Sequence, residues 1–357
     1  MSRVLVFVVP GSLSQRTGGY LFGRRVVEGL RALGREVRVA ELPGCFPEVD
    51  ARARQAARAV LSEAPDRAVL VIDGLALPAF DASLVDATRR HPVVGFIHHP
   101  LALETGLSAG RAARLGAIET ALWSRLHGVI CASAHTARGV RQSGVPPGRI
   151  AVAEPGVDPQ REPRFRARDV DTPVRLLCVA TITPRKGHRV LVDALSRIRS
   201  RHWRLDCIGS LERDPDEAHR LRQAIAASGL GGRVTLHGEQ SDEMLERAWS
   251  DTDLFVLPSY HEGYGMVFTE ALARGIPVVA TRGGATPETI PARACQLVEP
   301  GDVEGLSRVI ESLLDQPERL RSLAVAAREA STALVSWPDA VRRWADTLDR
   351  LVGRIAA

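Results

Sequence analysis

The chain of 357 residues contains no asparagine and only one lysine, Lys186, although Lys and Arg together number 47. Arginine therefore serves almost everywhere that a cation is needed, and the one lysine that is retained becomes a candidate functional residue. Aromatic residues make up 4% of the chain and do not alternate with basic runs, which disfavours nucleic-acid binding.

Long apolar runs and cysteine pairs are also missing. No run approaches the ~18 residues that cross a bilayer. The apolar start, Val4–Val9, is too short for a signal-peptide core and no small-residue cleavage site follows it, so we predict a buried strand and a cytoplasmic protein. No CxxC pair exists for zinc or redox chemistry, and the widely spaced cysteines predict reduced, buried thiols. The five cysteines are Cys45, Cys131, Cys178, Cys207 and Cys295.

The net charge of +5 is unevenly distributed, because residues 1–165 carry 21 Arg against 15 acidic residues. Many of these arginines fall on two helix-like segments, and a solvated helix face is the simpler interpretation. The alternative is that the N-terminal domain makes peripheral contact with an anionic acceptor or with the anionic inner face of the cell membrane. The arginines concerned are Arg24, Arg25, Arg31 and Arg35 on the first segment and Arg111, Arg114 and Arg125 on the second.

Short β-branched runs alternate with longer amphipathic segments, which predicts α/β architecture with parallel sheets covered on both faces. The charged, proline-containing segment Asp158–Pro173 interrupts the alternation and predicts a linker. We therefore predict two Rossmann-like, doubly wound domains, 1–160 and 172–335, with an interdomain cleft at the carboxyl ends of their strands. A helical tail begins near Asp302, and its last helix, about 336–357, could pack back on the first domain. The predicted strands are Arg3–Val9, Val37–Ala40, Ala68–Ile72, Val93–His98, Gly128–Cys131, Arg175–Ala180, Leu205–Ile208, Val234–Leu236, Leu254–Leu257 and Pro277–Ala280.

The strongest motif places two carboxylates, Glu262 and Glu270, around a strand-to-helix turn, with seven residues between them. A strand ends at Leu257, and a helix opens near Met266. Carboxylates accept several sugar O–H hydrogen bonds, and a helix N-terminus suits phosphate. Taken alone, Glu270 is explained equally well by helix-dipole compensation, worth about 0.3–1 kcal/mol, and the loop glycines by turn chemistry.

A second motif, Arg185-Lys186, follows the first strand of the second domain and precedes a helix. Arg offers a planar fork and Lys a compact charge, so the pair can hold a diphosphate from two sides. The simpler alternative is two exposed cations, and the retention of the single lysine at this position favours the functional interpretation.

Three weaker signals complete the set. Gly18-Gly19 follows the first strand and would allow backbone to approach a phosphate or sugar. His98 and His99 end a strand of the first domain, where either could bind the sugar, assist the acceptor or serve a structural role. Asp251-Thr252-Asp253 mimics a metal-binding DxD, but it leads directly into a strand, so we interpret it as a connection and predict no metal site.

The order of these motifs resembles that of a large family. Together with the segment from Val129 to the turn Pro155–Asp158 and with Gly283-Gly284, they are similar to the retaining GT-B glycosyltransferases of family four (glycosyl transferases group 1), which include sucrose synthases and bacterial mannosyltransferases. The resemblance covers nearly the whole chain, and its motifs are specific together but weak apart. Pro155 stands where the family usually has Asn, and Tyr264 where Phe is common, yet neither departure removes a charged site group.

The resemblance implies a GT-B fold and transfer of a sugar, with retention, from a UDP- or GDP-linked donor to an acceptor hydroxyl, without cofactor or metal. Arg185 and Lys186 would neutralise the leaving diphosphate, Glu262 would hold sugar hydroxyls, and Glu270 would bind the nucleotide ribose. His98 or His99 would lie near the transferred sugar. Further donor-binding positions are Gly18, Gly19, Gly238, Gly263, Tyr264, Gly265 and Met266.

Family resemblance further implies front-face attack, in which the leaving phosphate takes the acceptor's proton. The acceptor would be a sugar, a lipid-linked group or a small molecule in cell-envelope polysaccharide, glycolipid or other glycoconjugate biosynthesis. Two alternatives remain open: a nucleotide-sugar epimerase or hydrolase of the same fold, and a non-catalytic partner subunit that binds nucleotide sugar or another transferase. The four intact charged residues of the second domain speak against the partner subunit.

Overall fold

The computed structural model describes residues 3–80, 83–158 and 172–353 and divides into two compact units. Unit 1 combines Met1–Gly156 with Val335–Ala357, and unit 2 is Val157–Leu334. The predicted linker, Asp158–Pro173, lies almost entirely outside the described residues. Each unit is an α/β body around its own parallel sheet, which confirms the predicted fold class.

Unit 1 is built on a six-stranded parallel sheet in the order β2-β1-β3-β4-β5-β6. Its strands are β1 (Leu5–Pro10), β2 (Val37–Leu42), β3 (Val69–Asp73), β4 (Val93–Ile97), β5 (Gly128–Cys131) and β6 (Ile150–Val152). Its first five helices are α1 (Gly18–Ala32), α2 (Ala51–Glu63), α3 (Leu84–Arg90), α4 (Ala109–Trp123) and α5 (Ala134–Gln142). All six residues of β1 are buried, because it lies between β2 and β3 under helices on both faces.

Unit 2 is also built on a six-stranded parallel sheet, in the order β12-β11-β10-β7-β8-β9. Its strands are β7 (Val174–Val179), β8 (Trp203–Ile208), β9 (Val234–Gly238), β10 (Leu254–Leu257), β11 (Val278–Thr281) and β12 (Cys295–Val298). Its helices are α6 (His188–Arg197), α7 (Pro215–Ala227), α8 (Asp242–Ser250), α9 (Met266–Ala273), α10 (Thr286–Thr289), α11 (Val303–Asp315) and α12 (Pro317–Ser331).

The last helix, α13 (Trp337–Gly353), belongs to unit 1. The ring of Trp344 lies 5.8 Å from that of Phe96 and 6.5 Å from that of Phe7. A Cβ at Gly29 would lie 2.6 Å from Val341, so this glycine lets α1 and α13 approach closely. The C-terminal helix therefore completes the hydrophobic core of unit 1.

Several details depart from the sequence predictions. The edge strands β6 and β12 were not predicted, because each has only three or four residues and follows a proline-containing turn. Cys45 is exposed, which corrects the prediction that all five thiols are buried; the other four are buried. None of the helices in the described ranges is long and apolar enough to cross a membrane.

Most of the arginines on the two basic segments have partners within unit 1. Arg35 forms a fork with Asp349 of α13, with 2.8 Å between its Nη1 and Oδ1, and Arg111 Nη2 lies 2.7 Å from Glu48 Oε1. Arg31 donates to the carbonyl of Val37, and Arg25 lies over the ring of Trp337. These contacts favour the interpretation as ordinary helix faces. Arg24 is half-buried, and Arg114 and Arg125 are exposed.

Candidate functional site

In unit 2 the candidate site lies where the strand order reverses. Strands β7 and β10 are parallel neighbours, with Leu254 opposite Leu176, and β8 lies on the other side of β7. From this point the chain continues from β7 to β8 on one side and from β10 to β11 on the other, and such a switch point is where open α/β sheets bind ligands. The loops after these two strands carry the Arg185-Lys186 pair and the loop that contains Glu262.

The Arg185-Lys186 pair sits on a short 3-10 turn that is fixed against the neighbouring loop. The turn, Pro184–Lys186, ends at Gly187, whose φ is 70°. A Cβ at Gly187 would lie 2.1 Å from the carbonyl oxygen of Pro258, so only glycine allows this approach. The Tyr260 amide donates to the Arg185 carbonyl at 2.8 Å. Backbone contacts therefore hold the two loops in register.

Three charged side chains meet between these loops. Lys186 Nζ donates to Glu262 Oε1 at 2.6 Å, and Ser259 Oγ donates to the same oxygen at 2.6 Å. Arg185 Nη1 lies 3.8 Å from Glu262 Oε2 and donates to the His261 carbonyl at 2.8 Å. The Glu262 side chain is 7% exposed and both cations are 16% exposed, so water screens the cluster little.

The electrostatics of Glu262 follow from this environment. Burial favours the neutral acid and by itself would raise the pKa of Glu262. The charges of Lys186 and Arg185, together with the hydrogen bonds from Lys186 and Ser259, outweigh burial and lower that pKa to about 2. The carboxylate is therefore ionised throughout the physiological range.

The backbone of Glu262 is held by Gly283-Gly284, the loop after β11. The Ala285 amide donates to the Glu262 carbonyl at 2.8 Å, and Glu262 forms an isolated parallel bridge with Gly284. A Cβ at Gly284, whose φ is 64°, would lie 2.2 Å from that carbonyl oxygen. The glycine pair thus lets a third strand-end loop pack against the charged cluster.

Helix α9 begins immediately after the Glu262 loop. Gly265 precedes it with a φ of 91°, and no side chain caps the helix at this end. An uncapped N-terminus presents backbone N–H groups and the positive end of the helix dipole, both of which suit an anionic ligand. Met266 is the first helical residue, and Glu270 lies about one turn further and is half-buried.

The other predicted residues of unit 2 are Gly263, Tyr264 and Gly238, and they lie at or after the carboxyl ends of two different strands, β10 and β9. Gly263 and Tyr264 are half-buried in the loop between Glu262 and α9, and the Tyr264 carbonyl accepts a hydrogen bond from Thr289 Oγ1. Gly238 ends β9, where its carbonyl accepts from the Gly209 amide at 3.0 Å. Strand β8 separates β9 from β7. The structure therefore brings Arg185, Lys186 and Glu262 into one cluster but leaves Gly238 outside it.

In unit 1 the predicted residues gather at the carboxyl ends of β1, β3 and β4. Gly18 and Gly19 open α1, and a Cβ at Gly19 would lie 3.5 Å from the His98 ring. His98 follows β4, and its Nε2 lies 3.0 Å from Asp73 Oδ2 at the end of β3. His99 belongs to a different pair, with its Nε2 3.4 Å from Glu104 Oε2.

Two members of these arrangements were not found by sequence reasoning. Ser259 binds Glu262, and Asp73 binds His98. Each is a polar residue at the carboxyl end of a buried strand, which was the available signal. By contrast, Asp251 and Asp253 both engage Arg175, through its guanidinium and its backbone amide, so these carboxylates tie β7 to the start of β10.

Comparison with protein families matches both halves of the chain. The model "Glycosyltransferase Family 4" matches residues 20–161, and "Glycosyl transferases group 1" matches residues 160–330. Among curated proteins, the chain is 28% identical to the MMP alpha-(1->4)-mannosyltransferase of Mycolicibacterium hassiacum over 76% of this chain and 68% of that protein. It is 34% identical to the D-inositol 3-phosphate glycosyltransferase of an Arthrobacter species, over 56% of this chain and 52% of that protein.

A third relative is the GDP-mannose-dependent alpha-(1-6)-phosphatidylinositol monomannoside mannosyltransferase of Mycobacterium tuberculosis, 30% identical over 57% of this chain and 56% of that protein. The chain thus spans about half the length of two of these three relatives. Among solved structures, sucrose-phosphate synthase from Thermosynechococcus elongatus matches with a TM-score of 0.83 at 21% identity, over 99% of this chain and 100% of that one. Anabaena HepE, in complex with UDP and glucose, matches with a TM-score of 0.78 at 18% identity, over 98% and 100%. These structural likenesses show the shared GT-B fold.

Proposed function

Because the chain belongs to glycosyltransferase family 4, we propose that it moves a hexose, with retention of anomeric configuration, from a nucleotide-sugar donor to an acceptor hydroxyl, without a metal. The observation that carries this proposal is the ion cluster of Arg185, Lys186 and Glu262 beside the uncapped start of α9. A leaving nucleoside diphosphate develops negative charge. Fixed cations and helix N–H groups stabilise that charge without reorganising at the moment of reaction.

Each group of the cluster has a distinct task in this proposal. Lys186 and Arg185 contact the diphosphate oxygens as the bond to the sugar lengthens. Glu262 holds Lys186 through Oε1 and accepts a sugar hydroxyl through Oε2, which has acceptor capacity beyond its long contact with Arg185. Glu270, further along α9, accepts hydroxyls of the nucleotide ribose. The departing phosphate takes the proton of the attacking hydroxyl, so no separate base is required.

The donor is a UDP- or GDP-linked hexose. The family relatives support a mannosyl or glucosyl donor, since one is described as GDP-mannose-dependent and the HepE fold has been solved with UDP-glucose. The relatives act in glycoconjugate biosynthesis by their names, which include a phosphatidylinositol monomannoside mannosyltransferase and a colanic acid glycosyltransferase. We propose a sugar, lipid-linked or small-molecule acceptor of that kind.

A donor screen tests the proposal directly. The protein is incubated with UDP-, GDP- and ADP-hexoses and a set of glycan, polyol and lipid-linked acceptors, and released nucleotide is measured. We expect acceptor-dependent release with one donor, unchanged by EDTA, and a product with the anomeric configuration of the donor by NMR. An inverted product would exclude retention, and loss of activity in EDTA that is restored by a divalent ion would exclude metal independence.

The same assay separates the alternatives. An epimerase converts the nucleotide sugar without an acceptor and leaves the diphosphate attached. A hydrolase releases the nucleotide at the same rate whether or not an acceptor is present. Failure of every donor to turn over, with or without an acceptor, would contradict the proposal and favour a non-catalytic partner, and thermal shift then shows whether that partner binds nucleotide sugar.

A further inference from the structure

One pair of polar side chains in unit 1 lies apart from the charged cluster of unit 2, and only one of its members, His98, was singled out in the sequence. Asp73 and His98 end the neighbouring strands β3 and β4, and their side chains meet with 3.0 Å between Oδ2 and Nε2. The side chains are 14% and 20% exposed, respectively. A pair this sheltered, at the carboxyl edge of a parallel sheet, is placed where ligands bind rather than where a surface ion pair would be solvated.

Both partners are held in place by independent contacts. The other oxygen of Asp73, Oδ1, accepts a hydrogen bond from the Leu75 amide at 2.8 Å, which fixes the carboxylate. The His98 ring packs against Phe22 and Phe96, with centroids 5.9 and 4.5 Å away, and its carbonyl accepts from Thr136 Oγ1. The ring therefore has little freedom to turn away from Asp73.

We propose that Asp73 is a positioning residue that fixes the Nε2–H tautomer of His98, so that Nδ1 acts as the acceptor for a sugar hydroxyl. An ionised carboxylate can only accept hydrogen bonds, so a neutral His98 must place its proton on Nε2 to face it. Nδ1 then carries a lone pair, and no residue of the described ranges bonds to it. The part that concerns a sugar rests on the proposed function, whereas the tautomer does not.

The two adjacent histidines differ in their partners and in their exposure. His99 lies 3.4 Å from Glu104, and both side chains of that pair are more exposed than those of the Asp73–His98 pair, at 23% and 39%. Gly19, in the first turn of α1, lies against His98. We therefore assign the sugar-facing role to His98 and give His99 a local role in the loop that leads to α4.

The first test is spectroscopic and uses the full chain labelled with 15N-histidine. His98 is assigned by comparison with a His98→Gln variant, and long-range 1H–15N spectra are recorded at alkaline pH, where histidine is neutral. We expect a protonated Nε2 and an unprotonated Nδ1 in the wild type, and a mixture or reversal of the tautomers in Asp73→Asn, because an amide can either donate or accept. The matched control, Glu104→Gln, should leave the His98 signals unchanged. Mixed tautomers in the wild type, or an unaltered spectrum in Asp73→Asn, would overturn the proposal.

The second test asks whether Asp73 acts through His98. With the active donor identified, Asp73→Asn should lower kcat/KM about 10- to 100-fold, the loss of one oriented hydrogen bond, while Glu104→Gln stays within about twofold. The double variant Asp73→Asn/His98→Gln should be no slower than His98→Gln alone. Additive losses would refute the positioning role. Thermal melts of all variants identify any that fail to fold. If Asp73→Asn is one of them, the tautomer of His98 in the wild type tests the proposal.

The same variants show which sugar provides the hydroxyl. If it belongs to the donor, donor hydrolysis without acceptor and transfer both slow in Asp73→Asn. If it belongs to the acceptor, only transfer slows. Should the wild type turn over no donor at all, the proposed function fails, while the tautomer of His98 still tests the role of Asp73.

Discussion

Replacing Lys186 by alanine perturbs the candidate site at its shortest ionic contact. Its Nζ lies 2.6 Å from Glu262 Oε1 in a cluster that is largely shielded from water. Loss of one preorganised charge contact to a transition state costs about 2.7–4 kcal/mol, so we expect turnover to fall at least ~100-fold. The effect should appear mainly in kcat, because the diphosphate gains charge only as it leaves.

The same substitution carries a stability cost that has to be measured separately. Removing one partner of a buried ion pair costs ~3–5 kcal/mol, but Ser259 and Arg185 remain near Glu262, so we expect about 1–3 kcal/mol. A change of this size lowers the melting temperature by roughly 2–4 °C per kcal/mol. Activity is therefore assayed well below the melting temperature of the variant.

A matched control lies on the helix that follows. Arg197, at the end of α6, pairs with Glu304 at 3.4 Å, with side chains 54% and 70% exposed. Arg197→Ala removes a cation and an ion pair with little expected effect, less than about 1 kcal/mol and no change in kcat. If Lys186→Ala retains near-normal kcat with the physiological donor, the charge of Lys186 does not stabilise the transition state.

Three further predictions concern neighbouring positions. Glu270→Ala should weaken binding of the free nucleoside diphosphate with little change in stability, and calorimetric affinity equal to that of the wild type would contradict the ribose role. The pKa of Glu262 in the folded protein, about 2, lies below its ordinary value of 4.5, so its contribution to stability is complete above pH 4.5 and disappears as the pH falls towards 2. That contribution is on the order of 3 kcal/mol, and in Glu262→Gln the acid unfolding profile should lose this part of its slope; an unchanged profile would argue against the ion cluster. Gly187→Ala should destabilise unit 2 by more than about 1 kcal/mol and reduce activity, since its Cβ would meet the Pro258 carbonyl; a variant as stable as the wild type would show that the two loops are not in close contact.

The fold was predicted well because the alternation of short apolar runs with amphipathic segments is visible in the sequence without any knowledge of tertiary contacts. The segment from β10 through α9 to β11 was predicted within a few residues, since a buried strand, a glycine-rich loop and a terminating glycine mark its ends. Strand β12 was not predicted, because its burial depends on which strand lies beside it. A four-residue segment at a sheet edge carries too few residues to show a period.

The candidate site was predicted only in part, for a related reason. Arg185, Lys186 and Glu262 were singled out as ligand-binding residues, but their direct pairing was not predicted. Lys186 and Glu262 are 76 residues apart, and they meet because β10 lies beside β7, a neighbourhood that alternation alone does not determine. Nor could the sequence choose between His98 and His99, because that choice rests on Asp73, on a different strand.

Because α13 completes unit 1, we expect the two units to finish folding in a different order from the one in which they are synthesised. Residues 3–156 leave the ribosome first, yet their core lacks Trp337 and Trp344 until the final helix emerges, whereas the residues of unit 2 are all present beforehand. The earlier half of the polypeptide should consequently depend on chaperones for longer than the later half. A nascent chain stalled with residue 334 outside the exit tunnel should yield a protease-resistant fragment that contains the described residues of unit 2 and a digestible N-terminal region. Equal resistance of both regions would show that the first one matures without its last helix.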